Sequence, residues 1–123
     1  LYVSAVCSPS LLLMDIGKDL VAATATPLVL AILAEGESYG YAIIKRVAEL
    51  AGGELQWTDG MLYPVLHRLE RDALVKARWG ESETGRRRKY YQLTKTGAKE
   101  LVVLKQQWQT VNKALRATPF KSI

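Results

Sequence analysis

The 123-residue chain holds one histidine, His67, and one cysteine, Cys7, and these two residues already limit the chemistry open to it. A lone histidine serves as a general base only beside a nucleophile, a second histidine or a paired acid, and none is placed to work with His67. No catalytic residue is therefore assigned. A His or Cys metal site needs several such ligands, so neither metal nor cofactor is expected. Cys7 cannot close a disulfide within the chain, which fits a reducing cytoplasm. What remains is the chemistry of binding. Lys and Arg outnumber Asp and Glu by 17 to 12, and the surplus is concentrated. From Lys76 to Lys99, eight basic residues (Lys76, Arg78, Arg86, Arg87, Arg88, Lys89, Lys95, Lys99) stand against Glu81 and Glu83. A charge excess of this kind favours an anionic partner such as nucleic acid.

A second pattern lies just ahead of that stretch. In "TDGMLYPVLHRLERDALV", residues 58–75, Leu62, Val65, Leu66 and Leu69 recur at the helical period and make one apolar stripe. The face away from them carries Gly60, Tyr63, Pro64, His67 and Arg71, with Arg68 at its margin. Glycine costs a helix about 1 kcal/mol and interior proline about 3 kcal/mol relative to alanine. A residue without a side chain, a flat ring, a phenol, an imidazole and a guanidinium make a poor solvated surface. They suit a surface onto which something solid docks.

The elements that position these residues can be read along the chain. "LYVSAVCSPSLLL" lacks the basic start and full apolar core of a secretory signal, and no apolar run approaches the ~20 residues that cross a bilayer. Residues 1–13 are read as a disordered extension or a start-site artefact, ahead of the more ordinary segment that Met14 opens. "DLVAATATPLVLAILAEG" predicts a helix broken or entered afresh near Pro27, burying Leu28, Leu30, Ile32 and Leu33 and stopping at Gly36. "YGYAIIKRVAELAG" predicts a second helix with Ile43, Ile44, Val47, Ala48 and Ala51 inward and Lys45, Arg46 and Glu49 outside, ending at Gly52-Gly53. Thr58 or Asp59 caps the third, so that Pro64 falls near its first turns, where a missing backbone donor costs less. After Asp72 the period changes to two. "ALVKARWG" and "RRRKYYQLT" alternate as strands and "ESETG" joins them as a hairpin loop. The last element, "KTGAKELVVLKQQWQTVNKALRA", is about 22 residues or about 33 Å long. It carries Leu101, Leu104, Trp108, Val111 and Leu115 at spacings of three and four, a stripe that a second copy of the helix would cover. The predicted class is α+β, mainly α. A winged helix-turn-helix with an N-terminal helical segment occupies 14–94, one long dimerisation helix 95–116, and a tail 117–123.

Residues from about 26 to 116 resemble the PadR family of transcriptional regulators, on "LAILAEGESYGYAI", "GGELQWTDGMLYPVLHRLERDALV", "WGESETGRRRKYYQLTKTG" and the single long helix that follows. The resemblance implies a bacterial, dimeric, DNA-binding protein, usually a repressor, and often one that responds to small aromatic or drug-like molecules. The single C-terminal helix resembles the family's compact branch. The first thirteen residues lie outside the pattern.

On this reading the third helix is a recognition helix, whose N-terminal half meets base edges and phosphates in the major groove. Thr58, Gly60, Tyr63, Pro64, His67 and Arg68 are expected to contact DNA. Tyr39, beside Gly40, suits either a phosphate hydrogen bond or a half-buried place in the core. In "RRRK", alternation sends Arg86 and Arg88 to one face and Arg87 and Lys89 to the other, so not all four reach DNA. Gly85 and Arg86, nearest the tip of the wing, are the better minor-groove candidates, while the others, Arg88 among them, neutralise phosphates or brace the wing. Trp57 is expected in the core. Leu101, Leu104, Trp108, Val111 and Leu115 form the expected dimer seam, where Trp108 either packs or stacks a flat aromatic ligand. The expected partners are double-stranded DNA, a second copy of the chain and a small aromatic effector, with no membrane. The other class of function left open is a winged-helix module that docks an acidic protein.

Overall fold

The computed structural model describes residues 16–119. The expectation for residues 1–13 and the end of the predicted tail lie outside them. Four helices and three strands follow in the order α1 (Lys18–Ala34), β1 (Ser38–Tyr39), α2 (Gly40–Leu50), α3 (Asp59–Arg71), β2 (Val75–Glu81), β3 (Arg87–Leu93) and α4 (Lys95–Ala117). The sheet is antiparallel with strand order β1-β3-β2. Three helices enclose one core and the β2–β3 hairpin projects from it, which is a winged helix.

Helix α1 runs unbroken through Pro27, against the expected interruption. Proline removes the bond to the carbonyl four residues earlier, here that of Ala23. Ala23 is exposed, so water can take the place of the missing donor. Ala25, Val29, Leu30, Ile32 and Leu33 are buried, while Leu28 is only partly so. Helix α2 buries Ile43 and Val47. It stops where the chain turns left-handed at Gly52, with φ +60°. The Gly53 amide then donates to Ala48 at 2.8 Å and the Gly52 amide to Glu49 at 3.2 Å, which closes the last turn on glycines that bear this conformation without strain. Arg46, expected on the outer face of the helix, reaches Glu35 through two nitrogens at 2.8 and 2.9 Å and ties α2 to the end of α1.

Helix α3 is capped by Thr58, whose Oγ1 accepts from the Met61 amide at 3.3 Å. Its stripe of Leu62, Val65, Leu66 and Leu69 is buried as the period requires. Pro64 does not sit among the free donors of the first turn. It is the sixth residue of the helix, and its missing N–H leaves the Gly60 carbonyl without the donor that the helix would supply. Gly60 and Pro64 are both exposed, so water can fill the gap.

Helix α4 is fixed to the domain through its first turn. Thr94 caps it, accepting from the Gly97 amide at 3.0 Å, and donates from the same hydroxyl to the Ala73 carbonyl at 2.7 Å. Gly97 lies so close against the Leu74 carbonyl that a side chain would collide with it. The expected seam consequently divides. Leu101 is 7% exposed and Leu104 packs against the core of its own domain. Val111 and Leu115 are 52% and 67% exposed. The start of the stripe is thus used within one chain, because α1 lies alongside it.

Candidate nucleic-acid interface

The outer face of α3 carries Gly60, Tyr63, Pro64 and His67, all exposed. Around Gly60, among the described residues, only the Thr58 hydroxyl comes near the side-chain position, so this face offers open backbone near the helix N-terminus. His67 has no hydrogen bond or ion pair among the described residues. Tyr63 differs. Its phenol folds back over Gly40 at the start of α2, so it joins two helices while remaining 41% exposed. Arg68 differs further, since its Nη2 donates to Thr26 Oγ1 on α1 at 2.7 Å. That contact turns it from the face of His67 toward the back of the helix.

The wing is a closed hairpin. Its tip is held by Ser82 and Arg86 exchanging backbone and side-chain bonds of 2.9 and 3.3 Å, with Gly85 at φ +83° donating to Ser82. Arg86 belongs to this tip, before β3 begins, so strand alternation does not govern it. From Arg87 onward alternation holds. Arg87 and Lys89 lie by Trp79 on one face, at 4.7 and 6.0 Å from its ring, and Arg88 lies on the other. Arg88 stacks on Tyr39 at 3.8 Å, and Tyr39 meets Tyr90 edge to face at 5.7 Å. Tyr39 thus sits half-buried at the junction of wing, β1 and α2, and supplies a floor for a guanidinium, which a neutral aromatic face favours.

Two basic residues of the wing are neutralised by carboxylates that lie elsewhere in the sequence. Arg78 pairs with Glu37 through two 2.7 Å bonds, and Lys89 with Glu70 at 3.5 Å. The guanidinium beside it holds the Glu37 carboxyl below the usual carboxylate range, and Arg78 is raised in turn. Lys76, Arg86, Arg87, Arg88, Lys95 and Lys99 form no ion pair among the described residues. Sequence reasoning missed Glu37, Arg78 and Tyr90 as members of this surface. The two-residue strand β1 that brings them together is too short for any periodicity to announce.

Trp57 is buried, as expected. Trp108 is half-buried and lines an apolar groove of about 490 Å³ with Leu20, Pro27 and Leu28 of α1. Among the described residues, no group of three or more His, Cys, Asp or Glu could hold a metal ion, and no helix is long and apolar enough to cross a membrane.

A model of the transcriptional regulator PadR-like family matches residues 29–103. A solved transcriptional regulator from Clostridium thermocellum is 29% identical with a TM-score of 0.75, the match covering 83% of this chain and 96% of that one. A PadR family transcription regulator from hypervirulent Clostridium difficile R20291 is 35% identical with a TM-score of 0.67, over 76% of this chain and 95% of that one. The transcriptional regulator YqjI of Escherichia coli K12 is 32% identical over 89 residues, which are 72% of this chain and 41% of the longer YqjI.

Proposed function

Because the chain belongs to the PadR-like family of DNA-binding transcriptional regulators, we propose that it is a cytoplasmic repressor. As a homodimer it sets two copies of α3 on a palindromic operator, and it lets go when a flat aromatic effector settles in the dimer seam. The observation that carries this reading is the outer face of α3. Gly60 and Pro64 leave backbone accessible there, and among the described residues His67 has no partner and the wing beside it presents Arg86 and Arg88 without carboxylates. Gly60, Pro64 and Thr58 let the helix N-terminus approach the groove, and His67 and the free edge of Tyr63 reach for base edges. Gly85 and Arg86 enter the minor groove, and Arg88 on its Tyr39 floor meets a phosphate. Arg68 takes part only by giving up Thr26.

The dimer rests on Val111 and Leu115, the exposed end of the α4 stripe, and on the groove beside Trp108. Leu101 and Leu104, earlier on the same stripe, are covered by their own domain and anchor the helix that carries the seam. An effector stacked on Trp108 lies between the two chains and alters the distance between their recognition helices.

Binding to an operator fragment obtained by genomic selection, followed by fluorescence anisotropy, tests this. If six to ten phosphates are neutralised, affinity falls about 10³- to 10⁵-fold between about 50 and 200 mM salt, and the half-sites lie about 34 Å apart. Arg86→Ala and Arg88→Ala weaken binding to all sequences alike. His67→Ala also loses discrimination, by about 1–3 kcal/mol per base contact. Indifference to DNA and salt would transfer the wing to an acidic protein partner.

A further inference from the structure

Tyr39 offers Arg88 its ring only while β1 keeps its place, and β1 is two residues long. It pairs with β3 through Ser38 and Tyr39, and so short a strand is weakly held by its own ladder. A side-chain bond closes the sheet across it. Strand order puts β3 between β1 and β2, yet Arg78 of β2 reaches Glu37, the residue before β1, through two 2.7 Å bonds. On the way its guanidinium passes over the Tyr90 ring of β3, at 4.7 Å. Arg78, Tyr90 and Tyr39 are register partners in one row of the sheet. In the next row the residue opposite Arg88 is Gly80, where a methyl group would stand 2.7 Å from Arg78 Nη1 and 3.0 Å from the Tyr90 ring. The missing side chain makes room for the clamp.

We propose that Glu37 is a positioning residue for DNA binding, holding Arg88 in place through Arg78, Tyr90 and Tyr39, a role that rests on the phosphate contact proposed above for Arg88. An exposed ion pair adds little stability. Two parallel bonds between a guanidinium and a carboxylate add direction instead, and here they fix the edge strand that carries the floor under Arg88. The consequence runs against simple electrostatics. Taking a carboxylate from a protein that binds a polyanion should strengthen binding, and so should freeing Arg78 to neutralise a phosphate of its own. If the clamp positions Arg88, the same change weakens binding, because a guanidinium left to wander must be ordered anew when DNA arrives. Glu37 and Arg78 are both exposed, so a neutral substitute for Glu37 leaves the core untouched.

The test uses the full chain labelled with nitrogen-15, first without DNA. The Arg88 Nε–H resonance, identified by Arg88→Lys, is expected upfield of a free arginine because the group lies over the Tyr39 ring, and Glu37→Gln is expected to move it back toward the free position. A resonance indifferent to Glu37 overturns the proposal. The second measurement titrates a mixed-sequence DNA duplex, which suffices because a phosphate contact carries no sequence information. Glu37→Gln is expected to weaken binding about three- to tenfold in the wild-type background and to cause no weakening in Arg88→Ala. Tighter binding with a salt slope steeper by about one phosphate would mean that Glu37 merely withholds Arg78 from DNA, and it overturns the proposal. Unchanged affinity, or equal weakening in both backgrounds, does the same. An Arg88→Ala protein that binds DNA like the wild type overturns the phosphate contact itself and, with it, the role of Glu37, so the two failures are separate results.

Discussion

A methyl group at Gly40 would stand 2.5 Å from the Tyr63 hydroxyl oxygen and 3.0 Å from the ring carbon that bears it. The phenol can lie over α2 only because position 40 has no side chain, and this gives the glycine a role that its place at a helix start does not reveal. The obstructing atoms are the far end of a partly exposed side chain, so Gly40→Ala is expected to fold. Its stability should change by less than about 1 kcal/mol, since alanine's advantage in a helix offsets the displacement. The displaced phenol swings toward the proposed groove face, and DNA affinity changes with it. A double-mutant cycle checks the coupling. Gly40→Ala should alter DNA binding in the wild-type background and leave it unaltered in Tyr63→Ala, and equal effects in both would dissolve the link. Arg68 teaches a similar point. Its neighbours in sequence put it at the edge of the docking face, but a hydroxyl 42 residues away draws it to the other side of the helix.

At the scale of the element, α4 is one continuous helix of 23 residues with two different duties. Its beginning is part of the domain, with Gly97 against the Leu74 carbonyl and Leu101 in the core. Its end projects Val111 and Leu115 into solvent. Substitutions should sort accordingly. Leu101→Ala removes buried side-chain volume and is expected to lower unfolding free energy by about 2–5 kcal/mol in denaturant titrations. Val111→Glu touches no core, so unfolding measured at a concentration where the chain is monomeric should stay within about 0.5 kcal/mol of wild type. In sedimentation the same variant should lose the self-association proposed above, because it would bury an unpaired charge in the seam. A Val111→Glu protein that still dimerises would move the seam elsewhere on the molecule. The sequence showed the stripe and its spacing. It could not show where the chain's own core stops covering it, because that depends on α1 lying beside α4.

For the whole molecule, the wing and the helical core meet at Tyr91, which is 1% exposed. Burial first, then the charge of Glu70 and the proximity of Tyr63, push its phenol up to about 12. An unfolded tyrosine ionises near 10. The raised folded value means that Tyr91 contributes its stability in full below pH 10. That contribution is lost as pH rises from about 10 to about 12, where the unfolded chain releases the proton and the folded one retains it. Two units correspond to at most about 2–3 kcal/mol. Across this window the unfolding free energy of wild type should fall relative to that of Tyr91→Phe, since phenylalanine has no proton to lose. Curves that run parallel would remove Tyr91 from the alkaline response.

The sequence by itself determined the type of every element but β1, the buried stripe of α3, the wing, the family resemblance and the outer face that we propose for DNA. Each rests on residues within a few positions of one another, and helical and strand periods are properties of such short stretches. Only the tertiary structure decided which charges remain available. Glu37 neutralises Arg78 across 41 residues and Thr26 holds Arg68 across 42. Contacts of this kind depend on where α1 and β1 come to lie, and the packing of the whole core settles their positions, because no local pattern encodes the distance between elements.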